Sequence, residues 1–143
     1  MLRRINHLKN VGKFEHLSSG NGQQHEFEKY NVIYGLNAGG KSTLCDIFRS
    51  LGTNTPAYIT GRKRFGATGD IQIEVLFAGT PTPRANWITA NWTINPSTHQ
   101  VPAIFIFDER FVVENVFIGS FSDVEHRRRL YGLALGQLGH HTS

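Results

Sequence analysis

The sequence predicts an α/β fold in which one helix packs with a mixed sheet that has an antiparallel part. Three observations lead to this fold class. Short segments that alternate apolar and polar residues recur along the chain, a glycine-rich stretch follows an apolar run, and an amphipathic helical pattern begins directly after the glycines. A chain of 143 residues is long enough to bury a core of its own.

Strands are predicted from alternation and from short apolar runs bounded by turn residues. The predicted strands are residues 2–8, 13–17, 25–34, 71–77, 86–94 and 103–107. Alternation is clearest where Ile71, Ile73 and Val75 share one side of their strand. A turn containing two prolines separates this strand from residues 86–94, so we expect the two strands to pair antiparallel.

A helix is predicted over residues 41–51. Its apolar positions follow the i, i+3, i+4, i+7 spacing of a single helix face, namely Leu44, Ile47, Phe48 and Leu51. Gly52 is predicted to end the helix, because glycine readily adopts the left-handed conformation common just after a helix C-terminus. A second helical pattern begins at Ser122, with Glu125 placed to complete a capping box.

The glycine-rich stretch matches the phosphate-binding pattern G-x-x-x-x-G-K-[ST], known as Walker A, at every fixed position. The predicted ligands of the ATP or GTP phosphates are Gly35, Asn37, Ala38, Gly39, Gly40, Lys41, Ser42 and Thr43. Glycines let backbone N–H groups approach phosphate oxygens, and the helix that follows adds the positive end of its dipole. Lys41 is expected to reach the β- and γ-phosphates, Ser42 to bind Mg²⁺, and Thr43 to contact the α-phosphate side.

A second acidic pattern lies at residues 104–109, where four apolar residues precede Asp108 and Glu109. This order matches a Walker B motif, in which Asp108 would hold Mg²⁺ through water and Glu109 would polarise the attacking water. Any buried strand that ends in acidic residues has the same pattern. Both interpretations stay open on the residues alone.

Several segments resemble one group of ATPases. Residues 34–44, YGLNAGGKSTL, resemble the phosphate-binding loop of ABC-type ATPases of the SMC and RecF kind. Residues 9–14, KNVGKF, resemble the opening segment of RloC-like proteins, a group that includes anticodon nucleases related to PrrC. Residues 106–117 and 125–130 resemble two later segments of that group. The resemblance extends over about residues 2–136 and implies an AAA-family ATPase with an ABC-type P-loop fold.

The resemblance implies roles for further residues. Residues 1–136 would be the N-terminal lobe of an ATPase head, and residues 137–143 a disordered tail. The segment after Asp108 would correspond to a Q-loop, with Asn115 as the group that senses the γ-phosphate and Mg²⁺, and Glu114 as the second choice. Gly12 and Lys13 match positions near the ribose and phosphates.

The same resemblance also predicts what the chain needs from elsewhere. These 143 residues contain no ABC signature motif, coiled coil, downstream Walker B motif or nuclease domain. We therefore expect an incomplete head that binds ATP and Mg²⁺ weakly and hydrolyses little or no ATP alone. Its expected partner is a second ATPase head or a missing C-terminal half, with tRNA or DNA as possible ligands of full-length relatives. The nuclease activity of the group is not carried over.

Composition narrows the function only slightly. A net charge of +4 is compatible with nucleotide or nucleic-acid binding without being specific for either. No apolar run approaches the ~20 residues that span a bilayer, and no signal peptide is evident, so we expect a cytoplasmic protein without membrane attachment. Arg62-Lys63-Arg64 is interpreted as a solvated basic loop, and Trp87 and Trp92 as sheet or core residues. A complete small NTPase and a non-catalytic interaction module remain alternatives.

Overall fold

The computed structural model describes residues 1–19 and 26–115, and side chains as far as residue 113. The chain divides into two compact units, Met1–Phe105 and Ile106–Ser143. The predictions for residues 116–143, which include the helix beginning at Ser122 and the disordered tail, lie outside the described residues.

A five-stranded antiparallel sheet forms the framework of the first unit within this described part. Its strands are β1 (Leu2–Val11), β2 (Phe14–Ser18), β3 (Gln72–Phe77), β4 (Arg84–Ile88) and β5 (Asn91–Asn95), in the spatial order β2-β1-β3-β4-β5. The helices are α1 (Lys41–Thr53), α2 (Ala57–Thr60) and, in the second unit, α3 (Glu109–Asn115). The protein is therefore a mixed α/β structure.

The core lies where α1 and α2 meet one face of the sheet. Alternate sheet residues point into it, and the register places Leu8 opposite Ile73 and Val75 opposite Ala85. The buried apolar residues from sheet and helices are Leu8, Val11, Ile47, Leu51, Ile59, Ile71, Ile73, Val75, Phe77, Ala85 and Trp87. Ile47 and Leu51 of the predicted apolar face are buried here, and Leu44 packs partly against the core. Phe48 is only half-buried, and the buried face of α1 also includes Thr43, Asp46 and Ser50.

The two tryptophans lie on β4 and β5 at the core, in agreement with their interpretation as sheet or core residues. Trp87 is buried, and Trp92 packs against it with ring centroids 5.5 Å apart. The indole N–H of Trp92 donates to the hydroxyl of Ser50 on α1 at 3.0 Å. Because a buried indole N–H needs an acceptor, this hydrogen bond fixes the contact between β5 and α1.

The prediction of a single strand over residues 86–94 is wrong, because these residues form parts of the β4–β5 hairpin. Ile88 pairs with Asn91, and the two residues between them, Thr89 and Ala90, have φ values of 52° and 64°. Positive φ at both central positions is characteristic of a type I′ turn. The usual sequence signal for this turn is Asn-Gly or Asp-Gly, and Thr89-Ala90 does not match it. The sequence of residues 86–94 therefore gave no indication of a turn.

Two other predicted strands are not strands in the structure. Residues 26–34 and 103–107 have no ladder partner in the part of the chain that the structure describes. Val32 is 96% exposed, Tyr34 89% and Phe105 82%. A strand is stabilised by pairing with a neighbour, and an apolar run alone does not supply one. The parallel part of the predicted mixed sheet is accordingly not seen among these residues.

The helix α1 ends two residues later than predicted. Asn54, not Gly52, adopts the left-handed conformation at the C-terminus, with φ 50° and ψ 38°. Asparagine tolerates this conformation better than most side chains. A Cβ atom at Gly52 would lie 3.0 Å from that of Ile104, so Gly52 permits close packing inside the helix instead of ending it.

Candidate nucleotide-binding site

The glycine-rich loop, residues 35–40, leads directly into α1. Gly40 is the N-cap residue, with φ 100°, and it provides no side chain to cap the helix. The first turn of α1 also carries no acidic residue. The first N–H groups of a helix have no intrahelical partner, so the start of α1 leaves backbone donors and a positive dipole end for an external acceptor.

Close packing also requires a glycine at position 40. A Cβ atom there would lie 2.8 Å from the Phe14 ring of β2. A side chain at Gly40 would therefore push the loop away from the sheet. The contact places the loop against the start of β2, next to the turn that follows β1.

Ala38 adopts a left-handed conformation, with φ 61°. Alanine carries the strain that glycine would avoid in this conformation. The neighbouring Gly39 N–H donates to the Leu36 carbonyl at 3.0 Å, which closes the turn. The loop is thus built with one strained residue next to two glycines.

Lys41 lies over the loop that precedes it. Its ammonium group donates to the carbonyl oxygens of Gly35 and Leu36, the latter at 3.0 Å. The side chain is exposed, so moving it between these carbonyls and another anionic acceptor requires no change in the core.

A cavity of about 550 Å³ lies beside the loop. Its lining residues are Gly12, Lys13, Ala38, Gly40, Ser42, Thr43, Arg62, Arg64 and Phe65. This volume lies within the range of about 300–1,000 Å³ that is common for small-molecule sites. None of the lining residues, all taken from the described part of the chain, is acidic, so the cavity suits an anionic ligand.

The turn between β1 and β2 meets the start of α1 in this cavity. Gly12 has φ 54°, and a Cβ atom there would overlap the side chain of Thr43. Only glycine therefore allows the turn to approach Thr43 this closely. As a result Gly12 and Lys13 lie in the same cavity as Ser42 and Thr43, although about thirty residues separate them along the chain.

The basic loop, defined as residues 61–66, contributes side chains that the sequence analysis did not assign to the site. Its backbone is held against the end of β1, where Gly12 N–H donates to the Arg62 carbonyl at 2.6 Å and Arg64 N–H to the Asn10 carbonyl at 2.9 Å. Val11 and Lys63 form an isolated antiparallel bridge. These hydrogen bonds join residues some fifty positions apart, so no local sequence signal indicates them.

Two ion pairs hold the same loop. Asp46 on α1, with a side chain 5% exposed, accepts from Arg62 Nε at 2.7 Å and from Arg49 at 2.9 Å. Arg64 pairs with Glu15 at 2.9 Å. A buried carboxylate paired with two guanidinium groups gives the Arg62 side chain a defined position on α1.

Several other predicted site residues are not among the described residues that line the cavity. Gly35, Asn37, Gly39 and Lys41 belong to the loop or its helix but do not line the cavity. Asn115 ends α3, and its side chain lies outside the description. Asp108 caps α3, because its carboxylate accepts from Phe111 N–H at 3.0 Å.

Together, the fold and the cavity define a mixed α/β domain with a basic, glycine-lined site at a helix N-terminus. The family model described as "AAA domain" matches residues 10–127. The chain belongs to this family, and that span is an ATPase-like module of the nucleotide-binding kind. No curated protein matches the chain, and no solved structure matches it. Among the described residues, none of the helices is long and apolar enough to span a membrane.

Proposed function

We propose that this chain binds ATP, or GTP, with Mg²⁺ through the glycine-rich loop and the start of α1, as the N-terminal part of an ABC-type ATPase head. The observation that carries the proposal is the coincidence of a complete Walker A pattern with an uncapped helix N-terminus beside a basic cavity. Either feature alone is common, whereas together they supply the donors that a polyphosphate requires.

Each part of the loop has a chemical role in this proposal. Backbone N–H groups at the start of α1 would donate to phosphate oxygens, and Lys41 would exchange the Gly35 and Leu36 carbonyls for the β- and γ-phosphates. Ser42 is exposed and lines the cavity, so its hydroxyl is available to Mg²⁺. The metal would neutralise phosphate charge when bound.

Hydrolysis requires groups beyond this cavity. We propose that a second ATPase head, or further polypeptide equivalent to a C-terminal half, completes the γ-phosphate end of the site. No acidic side chain lines the cavity within the described residues, so the proposal assigns the orientation of the attacking water to groups outside it. Residues 9–14 and 106–117 support membership of the RloC-like group, with tRNA or DNA as ligands of the complete protein.

Lys41→Ala tests the proposed phosphate contact. The change removes a charge-assisted hydrogen bond of about 1.5–3 kcal/mol, so we expect the affinity for ATP to fall roughly ten- to a hundredfold. Titration with a fluorescent ATP analogue in the presence of Mg²⁺ measures the change.

Lys29→Ala is the matched control. Lys29 is exposed and lies over the ring of Tyr30, outside the cavity. Its removal changes the net charge by the same amount and should leave the affinity unchanged. Equal affinities for wild type and Lys41→Ala, or equal losses in both variants, would contradict a specific contact.

A further inference from the structure

Phe65 lies at the cavity with its ring entirely in solvent. Its relative exposure is 101%, yet it lines the same cavity as Lys13, Ser42 and Thr43. Single exposed apolar side chains are common on protein surfaces. An exposed aromatic ring beside a basic cavity is a different arrangement, because it places an apolar flat surface next to groups that attract an anion.

The position of Phe65 is set by the backbone rather than by packing of its ring. The two hydrogen bonds that join the basic loop to Asn10 and Gly12 lie immediately before it in the chain. The ion pairs of Arg62 with Asp46 and of Arg64 with Glu15 hold the two arginine side chains that precede Phe65. A loop fixed in this way keeps the ring at the cavity without burying either face.

A ligand that suits this cavity has an anionic end and a flat aromatic end. The start of α1 suits the anion, and the ring of Phe65 suits a π-surface. Nucleotides combine these two groups in one molecule, and bases stack on exposed aromatic side chains. The cavity volume of about 550 Å³ lies in the range of sites that hold ligands of this size.

We propose that Phe65 is the base-stacking residue of this site, so that the base of a bound nucleotide lies on its ring while the phosphates contact the start of α1. This inference rests on the proposed nucleotide binding and extends it to the opposite end of the ligand. Every base has a π-face, so stacking on Phe65 contributes to the binding of ATP and GTP alike.

The test compares a ligand that has a base with one that lacks it. Calorimetric titration measures the affinities of wild type, Phe65→Ala and Phe65→Tyr for ATP and for inorganic tripolyphosphate, each with Mg²⁺. Phe65→Ala should bind ATP roughly five- to a hundredfold more weakly, by the usual size of a base–aromatic stack, and should bind tripolyphosphate as wild type does. Phe65→Tyr keeps an aromatic face and should retain ATP affinity.

Phe105→Ala is the matched control, because Phe105 is a second largely exposed phenylalanine that does not line the cavity. It should leave both affinities unchanged. An unchanged ATP affinity in Phe65→Ala, or equal losses for ATP and tripolyphosphate, overturns the base-stacking role while nucleotide binding stands. Failure of wild type to bind either ligand overturns the proposed function and the inference together.

Discussion

At the scale of single residues, Ala38 shows how the site departs from an unstrained loop. The left-handed region costs a non-glycine L-residue on the order of 1–2 kcal/mol, and Ala38 occupies it with φ 61°. Ala38 lies between the turn that Gly39 N–H closes on the Leu36 carbonyl and the helix that begins after Gly40. Strain of this kind persists only where the surrounding structure determines the backbone.

Ala38→Gly should remove this strain. The gain is partly offset by the greater flexibility of glycine in the unfolded chain, about 0.4–1 kcal/mol. We therefore expect the free energy of unfolding to stay level or rise by up to about 1.5 kcal/mol, as measured by urea denaturation.

Ala57→Gly provides the comparison for this experiment. Ala57 begins the helical backbone of α2 and is exposed, so glycine there should lower the free energy of unfolding by roughly 0.5–1 kcal/mol. If both variants lost stability equally, Ala38 would not be strained in the folded protein.

At the scale of elements, the β4–β5 hairpin depends on a turn with poorly suited residues. Thr89 and Ala90 both have positive φ, in a two-residue connection that strongly favours Asn-Gly. Thr is β-branched, and such residues are rare in the left-handed region. The pairing of Trp87 with Trp92, together with the hydrogen bond from Trp92 to Ser50, compensates for this turn.

Replacement of both turn residues, Thr89→Asn with Ala90→Gly, should stabilise the hairpin. We expect the free energy of unfolding to rise on the order of 1 kcal/mol, because the new pair prefers the backbone that the turn already has. Urea denaturation measures the change. Thr93→Asn, a similar polar replacement inside β5, should lower stability, since asparagine is disfavoured in strands. A loss of stability in the turn variant would contradict the assigned turn type.

Local signals were sufficient to predict β1, β2, β3 and the start of α1, because alternation and helical spacing are properties of neighbouring residues. They failed for residues 26–34 and 103–107, since strand formation depends on a partner from elsewhere in the chain. The candidate site divides in the same way. Its motif was evident in the sequence, whereas Phe65 lies at the cavity because contacts between distant residues, such as the bridge between Val11 and Lys63, hold the basic loop there.

At the scale of the whole molecule, the described elements of the first unit converge on the start of α1. The antiparallel sheet, the turn at Gly12 and the basic loop all position donors around the start of α1. Hydrolysis requires in addition a group that orients the attacking water and one that stabilises the developing charge. Glu109 is the acidic residue of the sequence whose motif suggests the first of these roles.

We predict that Glu109 is not a catalytic base. In a Walker B motif the acidic pair follows a buried strand, but residues 103–107 form no strand and Phe105 is largely exposed. Asp108 caps α3 through Phe111 N–H. A general base also acts only within about 2.6–3.2 Å of the attacking water, or through one bridging water.

Glu109→Gln keeps the size of the side chain and removes its charge, so any trace of phosphate release at saturating ATP and Mg²⁺ should be unchanged. Lys41→Ala is the necessary comparison, because a trace that persists in that variant does not arise from this site. Rapid wild-type turnover that collapses in both variants would show instead that the chain is a complete small NTPase. In that case the carboxylate of Glu109 would have to reach the γ-phosphate end of the site, and the need for a second ATPase head would disappear.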